Sequence, residues 1–494
     1  MFLSEILKNV VNTAVGAVDL DIKSIETDSR IGGYSSIFVA LDGENNRGID
    51  FATQAIANGA KAVVVDKKYN YENKDVTAIA VDDPRNALVH MLKNFFSDNF
   101  PEHIMGISGT QGKTSVVEFL RQILTRLGYE CASIGTLGLR YGTQTIKDNN
   151  LTMLEIVDLY RKLNFLKNKN INFVALEVTS QGLCTRRLDG IELEIAGITN
   201  IYSHEHLDYH RNMENYFLSK MKMFREHCRK GATAVLNSKT DYYDRMEAIC
   251  REEKLNILTF GYGNLNDLDI VGIDNYGETQ RVTIKIFGKT YSFDTKLFGD
   301  FQILNLVEAL AFVYSLKLNI STDEIVNTLQ YVESAEGRMN FLAKNKKGGY
   351  IYVDYAHTPS AFETVLKIMQ KHLKKLGNGK LITLFGSGGD RDSSKRPMMG
   401  KIAQEFSDVV IITDDNPRTE DPEKIRNDIV AGCNQNDKNL YNFREGREEA
   451  IKFALSILGK DDILILLGKG HETYQVMQDR KVYFSEKEIV LNNI

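Results

Sequence analysis

Apolar runs alternate with helix-like segments along most of the chain. Buried strands are predicted at residues 37–41, 62–65, 104–108, 173–178, 195–200, 350–353, 380–385, 409–413 and 463–467. Helices are predicted between them at residues 51–59, 114–127, 359–376 and 422–431. Strands without polar interruptions are typical of parallel sheets that are covered on both faces. The pattern therefore predicts an α/β fold with doubly wound sheets.

Three segments depart from this alternation and help to divide the chain. Residues 270–293 alternate apolar and polar positions, which predicts antiparallel strands, and residues 324–332 predict a short closing helix. Residues 99–102 predict a linker, because the residue before Pro101 is pushed out of the helical region. A length of 494 residues favours about three domains. We predict domains at residues 1–100, 101–334 and 335–494.

Composition narrows the class of protein. A hydrophobic content of 43% and a charged content of 26% are those of a soluble globular protein. The net charge of −5 gives no basic excess for nucleic acid. Neither a targeting peptide nor an apolar run long enough to span a bilayer is evident. The five cysteines form no CxxC pair, so we expect reduced thiols in a cytoplasmic protein rather than disulfides or a zinc site.

A glycine-rich loop follows the predicted strand 104–108. It comprises Gly109, Thr110, Gln111, Gly112, Lys113, Thr114 and Ser115, and a predicted helix begins at once. Such a loop lets backbone amides and the helix N-terminus bind phosphate, with the lysine on the β- and γ-phosphates and the hydroxyl of Thr114 on Mg²⁺. The strict motif fails because Ile107 replaces its first glycine, and an ordinary turn is the alternative. The strand–loop–helix context favours a nucleotide site.

Acidic and imidazole side chains follow two other predicted strands. Glu177 lies near the end of strand 173–178, and Glu205 and His206 follow strand 195–200. The carboxyl ends of parallel strands meet at the ligand crevice of an open sheet. These residues are therefore candidate metal ligands beside the phosphate loop, although each alone could be an ordinary surface residue.

The order of the motifs resembles that of the Mur ligase family over nearly the whole chain. The remaining motifs are Lys220, Asn305, Arg338, Asp354 to His357, Asp415-Asn416-Pro417-Arg418 and Gly468-Lys469-Gly470-His471-Glu472. The resemblance implies an N-terminal UDP-binding α/β domain, a central ATPase-like parallel sheet and a C-terminal Rossmann-like domain that takes the amino acid. The last two motifs are similar to those of the member that adds the third residue of the peptidoglycan stem peptide.

The resemblance also implies roles for individual residues. Thr114, Glu177 and His206 would hold Mg²⁺, and Lys220 would carry a carbamate that binds a second Mg²⁺. Lys113, with Lys220, His206 and Glu177, would form the catalytic set. Besides the loop from Gly109 to Ser115, the implied ATP contacts are Asn305, Arg338, Asp354 and His357. The implied UDP-sugar-peptide contacts are Thr27, Ser29, Glu44, Asn45, Asn46, Thr152, Thr179, Thr185 and Arg187.

The implied amino-acid site consists of Arg391, Asp415, Asn416, Pro417, Arg418, Gly468 and Glu472. Asp-Asn-Pro-Arg is typical of relatives that add meso-diaminopimelate, whose far carboxylate an arginine can bind bidentately. Glu472 would bind the ammonium group at the same end. Lanthionine presents the same charges, so the sequence leaves both amino acids open.

The resemblance implies an ATP-dependent ligase of peptidoglycan synthesis that acts on UDP-MurNAc-L-Ala-D-Glu through an acyl phosphate. Its partners would be small-molecule substrates, and we expect a monomer without nucleic acid. The segments Leu151-Thr152-Met153 and Thr179-Ser180-Gln181, with Glu205, depart from the family pattern. Two alternatives therefore stay open: a paralogue with a modified or non-sugar acceptor, similar to folylpolyglutamate synthetase, and a P-loop NTPase that acts as a regulatory module.

Overall fold

A computed structural model describes residues 1–43, 46–147, 151–202, 207–276, 279–478 and 480–494. The chain divides into two compact units. Unit 1 contains Met1–Leu268 and Glu308–Asn319, and unit 2 contains Asp269–Val307 and Ile320–Ile494. The boundaries predicted near residues 100 and 334 follow a different division, and they stay a prediction.

The N-terminal part of unit 1 is a five-stranded sheet in the order β1-β5-β4-β3-β2, with only β1 antiparallel to its neighbour. Successive side chains of β4 point to opposite faces, and both faces are buried: Val64 packs against one core cluster and Val63 against another. The elements here are α1 (Leu3–Ile6), β1 (Asn12–Val15), β2 (Ser24–Glu26), β3 (Ser36–Val39), a 3-10 turn (Gly48–Phe51), α2 (Ala52–Ala57), β4 (Ala60–Asp66), a second 3-10 turn (Lys67–Tyr69), β5 (Thr77–Val81) and α3 (Pro84–Phe95).

The part of the second sheet that belongs to unit 1 has the order β13-β12-β11-β6-β10-β7-β8-β9. Strands β13 to β7 are parallel, and β7, β8 and β9 form antiparallel pairs. The elements are β6 (His103–Ser108), α4 (Lys113–Arg126), β7 (Cys131–Gly135), β8 (Gly138–Tyr141), β9 (Gln144–Ile146), α5 (Ile156–Asn168), β10 (Phe173–Glu177), α6 (Ser180–Cys184), β11 (Leu193–Ile198), α7 (Leu207–His210), α8 (Met213–Glu226), β12 (Cys228–Asn237), α9 (Tyr243–Glu252) and β13 (Asn256–Tyr262). The predicted parallel core is confirmed, and the β8–β9 hairpin is an addition to it.

Unit 2 contains the predicted antiparallel segment and a six-stranded sheet. Strands β15 and β16 pair antiparallel, from Gln280 opposite Thr295 to Ile286 opposite Lys289. The six-stranded sheet has the order β17-β18-β22-β19-β20-β21, and only β17 is antiparallel. Its two faces are covered by separate apolar clusters. The Rossmann-like alternation predicted for the third part of the chain is thereby confirmed.

The remaining elements are β14 (Leu268–Tyr276), β15 (Thr279–Ile286), β16 (Lys289–Thr295), α10 (Asp300–Ser315), α11 (Thr322–Leu329), β17 (Asn340–Lys344), β18 (Tyr350–Asp354), α12 (Pro359–Leu376), β19 (Leu381–Phe385), α13 (Lys395–Phe406), β20 (Val409–Ile412), α14 (Pro422–Val430), β21 (Leu440–Asn442), α15 (Arg447–Ile457), β22 (Ile463–Leu467), β23 (Tyr474–Met477), β24 (Arg480–Tyr483) and α16 (Glu486–Asn492). Helix α11 begins earlier than the predicted residue 324, because Ser321 and Glu324 form a reciprocal capping box.

Candidate functional site

The glycine-rich loop joins β6 to α4, as the sequence predicts. Two of its glycines have positive φ angles, 146° at Gly109 and 89° at Gly112. A Cβ atom at Gly109 would lie 1.9 Å from the hydroxyl of Thr199, so a larger residue does not fit there. Gly112 precedes the first residue of α4. Helix α4 therefore begins within the loop, and its N-terminal amides and dipole favour an anion there.

Thr199 and Asn200, which follow β11, hold the loop in place. The hydroxyl of Thr199 donates to the carbonyl oxygen of Gln111 at 2.5 Å. The side-chain amide of Asn200 donates to the same oxygen at 3.1 Å and accepts the backbone N–H of Gln111 at 3.0 Å. The loop conformation therefore depends on the neighbouring strand. Neither residue is predicted as a site residue from the sequence, although residue 200 ends a predicted strand.

Two lysines lie against the loop. Lys113 Nζ donates to the carbonyl oxygens of Gly109 at 2.8 Å and Thr110 at 3.0 Å. Lys220, on α8, is 1% exposed, and its Nζ donates to the carbonyl oxygen of Gly109 at 3.0 Å. Lys220 Nζ also lies 4.7 Å from the centre of the Tyr216 ring. The structure thus brings together two predicted residues that are more than a hundred positions apart.

Glu177 belongs to a cluster of oxygen atoms beside the loop. Its carboxylate accepts the backbone N–H of Thr136 at 2.9 Å and the Thr136 hydroxyl at 3.2 Å. The Thr136 hydroxyl also lies 3.5 Å from that of Thr114 and 3.2 Å from that of Thr152. Gly135 permits this approach, because a Cβ atom there would lie 2.3 Å from Glu177 Oε1. Thr136 was not predicted as a site residue.

The chemistry of this donor set fits Mg²⁺. A carboxylate and hydroxyl groups are the hard oxygen ligands that this ion prefers. His206, the third predicted ligand, lies outside the described residues, as do Glu44 and Asn45 of the predicted UDP site. Among the residues that the structure does describe, Thr114 and Glu177 are joined through Thr136.

The other predicted sugar-peptide residues lie in two places in unit 1. In the N-terminal part, the Ser29 hydroxyl donates to Gln54 at 2.6 Å. Thr27, two residues earlier, is half-buried, and Asn46 is exposed. Thr152, Thr179 and Arg187 lie near Met153: the Thr179 hydroxyl is 3.9 Å from its sulfur, and Arg187 donates to its carbonyl oxygen at 3.0 Å. Thr185 lies at the end of α6, where its hydroxyl donates to the carbonyl of Gln181 at 2.9 Å.

The predicted ATP residues of unit 2 form one connected group. Asp354 ends β18 and accepts the backbone N–H groups of Met339 and Ala356, both at 2.7 Å. Burial raises the pKa of Asp354, and the charge of Arg338 opposes that rise. Gln302 links Arg338 to Asn305, since its amide donates to the carbonyl of Arg338 at 3.0 Å and accepts from Asn305 at 3.3 Å.

His357 lies beside this group. Its Nδ1 is 2.9 Å from the carbonyl oxygen of Tyr355, and its own carbonyl accepts from Lys395 Nζ at 3.0 Å. The Arg338 guanidinium lies 4.8 Å from the centre of the Tyr355 ring. Burial lowers the pKa of Lys395. Lys395 is a further cation near the predicted ATP residues that the sequence analysis did not single out.

The two predicted amino-acid motifs meet at the carboxyl ends of β20 and β22. The Asn416 amide donates to Glu472 at 2.8 Å, and Lys469 Nζ donates to Asn416 at 3.2 Å and to Glu472 at 3.3 Å. Gly468 has a φ angle of 105°, and a Cβ atom there would lie 2.6 Å from the carboxylate of Asp415. Glu472 is therefore already paired with a fully buried lysine. Lys469 belongs to the second motif, but no role is predicted for it from the sequence.

Arg418 and Arg391 border the same glycine-containing turn after β19. Arg418 Nη1 donates to the carbonyl of Gly389 at 2.7 Å and would lie 2.9 Å from a Cβ atom at Gly388. The side chain of Arg391 lies 3.9 Å from that same Cβ position. Arg418 has a φ angle of 52°, and its backbone pairs with Val476 and Gln478. Pro417 contacts Gly389 through its carbonyl. All seven predicted amino-acid residues thus lie at the carboxyl ends of the central strands β19, β20 and β22.

Comparisons with known proteins agree with this arrangement. Residues 21–96 match a model described as the Mur ligase family catalytic domain, residues 107–313 the Mur ligase middle domain, and residues 337–470 the Mur ligase glutamate ligase domain. A UDP-N-acetylmuramoyl-L-alanyl-D-glutamate–2,6-diaminopimelate ligase of Rickettsia conorii is 35% identical over 95% of both chains. The chain belongs to the Mur ligase family.

Two further relatives support the assignment to the Mur ligases. A protein of the same name from Agrobacterium fabrum is 35% identical over 98% of this chain and 95% of its own length. A solved structure of such a ligase has a TM-score of 0.69 and 28% identity, and the match covers 100% of this chain and 98% of that one. Among the described residues of this Mur ligase, no helix is long and apolar enough to cross a membrane.

Proposed function

We propose that this Mur ligase is of the MurE type, UDP-N-acetylmuramoyl-tripeptide synthetase, and adds meso-diaminopimelate to UDP-MurNAc-L-Ala-D-Glu in peptidoglycan synthesis. The observation that carries the proposal is the hydrogen bond from Asn416 to Glu472 at 2.8 Å, which joins the two motifs, with the Arg418 guanidinium on the Gly389 carbonyl oxygen of the neighbouring turn. These residues offer both a guanidinium and a carboxylate, the two charges needed to bind the zwitterionic end of a diamino acid. Relatives with full-length similarity carry the corresponding ligase name.

Unit 1 would bind the phosphates of ATP. The amides of the loop and of the α4 N-terminus face the anion, and Lys113 would move from the carbonyl groups of Gly109 and Thr110 to the phosphates. Thr114 and Glu177 would hold Mg²⁺, and Thr136 would orient both. Bound Mg²⁺ neutralises charge that develops during phosphoryl transfer. We also propose that Asn305, Arg338, Asp354 and His357 contact ATP.

Lys220 would carry the carbamate that the family resemblance implies. Its Nζ is buried and lies near Ser108 and Gly109, at the start of the phosphate loop. Addition of carbon dioxide turns this cation into an anion with two oxygen atoms, which is a suitable ligand for a second Mg²⁺. We propose that His206 helps Thr114 and Glu177 to hold the first Mg²⁺.

The reaction would proceed in two steps. The γ-phosphoryl group of ATP passes to the γ-carboxylate of the D-glutamyl residue, and an acyl phosphate and ADP form. The diaminopimelate amine then attacks the acyl carbon, loses a proton and displaces inorganic phosphate. The side chains described above hold the reactants and stabilise charge.

Thr152, Thr179 and Arg187 would bind the peptide end of the acceptor, and Ser29 with its neighbours would bind the uridine end. From the sequence we further propose a cytoplasmic, monomeric enzyme.

A phosphate-release assay with ATP, UDP-MurNAc-L-Ala-D-Glu and a panel of amino acids tests the proposal. We expect turnover with meso-diaminopimelate and none with lysine, whose far end lacks a carboxylate. Arg418→Ala removes the proposed carboxylate ligand and should raise the apparent KM for diaminopimelate about ten- to a hundredfold, as expected for a lost hydrogen bond between charged groups. Turnover with lanthionine would extend the substrate class without changing the site.

Arg444→Ala provides the matched control, because Arg444 is 68% exposed and outside the two motifs. Its KM for diaminopimelate should equal that of the unaltered protein. The assignment is wrong if Arg418→Ala leaves this KM unchanged, or if lysine replaces diaminopimelate with equal efficiency. Turnover with a non-sugar acceptor alone would instead favour a folylpolyglutamate-synthetase-like paralogue.

A further inference from the structure

Arg447 is the first residue of α15 and is 1% exposed. Its guanidinium has three partners. Nε donates to Glu486 at 2.8 Å, Nη2 donates to the carbonyl oxygen of Leu467 at 2.8 Å, and Nη1 donates to that of Asp414 at 3.2 Å. The side chain therefore joins α16 to two backbone positions of the six-stranded sheet.

Those two backbone positions immediately precede the two amino-acid motifs. Leu467 is the last residue of β22 and is followed by Gly468, while Asp414 follows β20 and is followed by Asp415. Strands β20 and β22 are not neighbours, because β19 lies between them. The hydrogen bonds of the sheet therefore do not join the ends of β20 and β22 directly. The two terminal nitrogens of Arg447, here called the Arg447 fork, contact both.

The stability of the fold does not by itself explain this arrangement. A cation at the first position of a helix opposes the helix dipole. A buried ion pair often contributes less than apolar side chains of similar volume. Within the described part of the chain, Glu486 Oε2 has no hydrogen-bond partner, and burial raises the pKa of this carboxyl. The planar fork of arginine, however, suits simultaneous contact with several acceptors.

We propose that Arg447 is a positioning residue that fixes the Asp415–Arg418 motif relative to the Gly468–Glu472 motif, with Glu486 as its anchor. The inference rests on the proposed function, because it concerns the amino-acid site of the ligase. Arg447 acts through the carbonyl groups of Asp414 and Leu467 and does not itself contact the substrate. Loss of the fork would allow Asn416 and Arg418 to shift against Glu472.

The test compares Arg447→Met with the double variant Arg447→Met/Glu486→Met. The single variant leaves Glu486 as an uncompensated buried charge and should lower the Tm. The double variant removes both charges and should regain most of the Tm. We expect both to raise the KM for diaminopimelate by roughly ten- to a hundredfold, the range for weakened hydrogen bonds to charged groups of the substrate. The KM for ATP should stay that of the unaltered protein.

A purely structural role predicts a different result, in which Tm and the KM for diaminopimelate recover together in the double variant. That outcome would overturn the inference. Arg447→Lys, which keeps the charge but not the fork, should also raise this KM. Lys452→Met is the matched control on the same helix, since Lys452 is partly exposed and pairs with Glu448 and Glu449. It should leave the kinetic constants unchanged.

Hydrogen exchange separates this inference from the proposed function. Backbone amides in segments 413–418 and 467–472 should exchange faster in the double variant, at a Tm close to that of the unaltered protein. If the unaltered enzyme accepts no amino acid, the proposed function is wrong. In that case the hydrogen-exchange rates alone test whether Arg447 positions the two motifs. Unchanged exchange in both segments overturns the positioning role, whatever the substrate.

Discussion

Glu308 places a carboxyl group in the apolar interior of unit 1. The side chain is 1% exposed, and within the described residues its Oε1 atom has no hydrogen-bond partner. Glu308 belongs to α10. Its side chain lies near Gly197 of β11, as does the ring of Phe312 from the same helix. Burial raises the pKa of Glu308 well above its usual value of 4.5. The folded state therefore holds this proton more tightly than the unfolded state does.

The sign of the pH dependence follows from this difference. Well below pH 4.5 the carboxyl is protonated in both states, so folding carries no cost for its charge. As pH rises above that value, the unfolded state ionises first, and stability is lost until the folded pKa is reached. Glu308 therefore destabilises the protein at neutral pH and much less so near pH 5.

Glu308→Leu should raise the Tm at pH 8 and give a smaller increase at pH 5. At pH 8 the free energy of unfolding should increase by about 1–3 kcal/mol, the usual penalty for an unsatisfied buried polar group. Thermal unfolding monitored at both pH values measures it. Glu252→Leu on α9 is the matched control, since Glu252 is 68% exposed and should show no such gain. An equal or lower Tm for Glu308→Leu at pH 8 would contradict the argument.

At the scale of elements, the turn between β7 and β8 supports the proposed metal site. Thr136 lies in this turn and contacts Glu177, Thr114 and Thr152. A buried network below it joins α4 to both strands: Glu118 accepts from Ser133 at 2.5 Å and pairs with Arg140 at 3.0 Å. The hairpin is therefore attached to the helix that follows the phosphate loop, so that the loop and the turn keep a common geometry.

Thr136→Val keeps the shape of the side chain and removes its hydroxyl. Glu177 would keep its backbone hydrogen bond but lose the second one, so its carboxylate is less well oriented. We expect kcat to fall about tenfold, the effect of one lost hydrogen bond of ~1.4 kcal/mol. The Mg²⁺ concentration for half-maximal rate should rise, while the KM for diaminopimelate stays constant. Phosphate release across a Mg²⁺ titration measures this.

Thr136→Ser retains the hydroxyl and serves as the control for that titration. An unchanged Mg²⁺ requirement in Thr136→Val would remove Thr136 from the metal site. A parallel rise in the KM for diaminopimelate would instead indicate a general loss of structure, because Thr136 is not one of the proposed amino-acid residues.

Sequence patterns predicted the strands that consist of continuous apolar residues. They also predicted the strand and helix on either side of the glycine-rich loop, whose role in binding phosphate stays a prediction. They did not predict β24, whose four residues are all exposed and give no alternation. They also missed Thr136, Thr199 and Asn200, because each acts on a residue far away in the chain. Arg447 was missed for the same reason: its partners lie 20 to 39 positions away. Contacts of this kind depend on strand order, which local periodicity does not encode.

Each of the two compact units contains residues that we propose as ATP contacts. The phosphate loop belongs to unit 1, and Arg338 and Asp354 belong to unit 2. The proposed acyl phosphate hydrolyses readily, so a productive ligase must keep water from it until the amine arrives. We therefore expect little phosphate release when either the sugar-peptide or the amino acid is omitted.

This expectation can be measured as a ratio. With all three substrates present, phosphate and the amide product, quantified by mass spectrometry, should form in equal amounts. Arg418→Ala should lower both rates while keeping the ratio, because it weakens amino-acid binding and leaves the proposed ATP contacts unchanged. Phosphate in excess over product would mean that the acyl phosphate escapes to water. Rapid ATP hydrolysis by the protein alone would favour an NTPase module over a coupled ligase, since a ligase gains its specificity only if phosphoryl transfer awaits the acceptor.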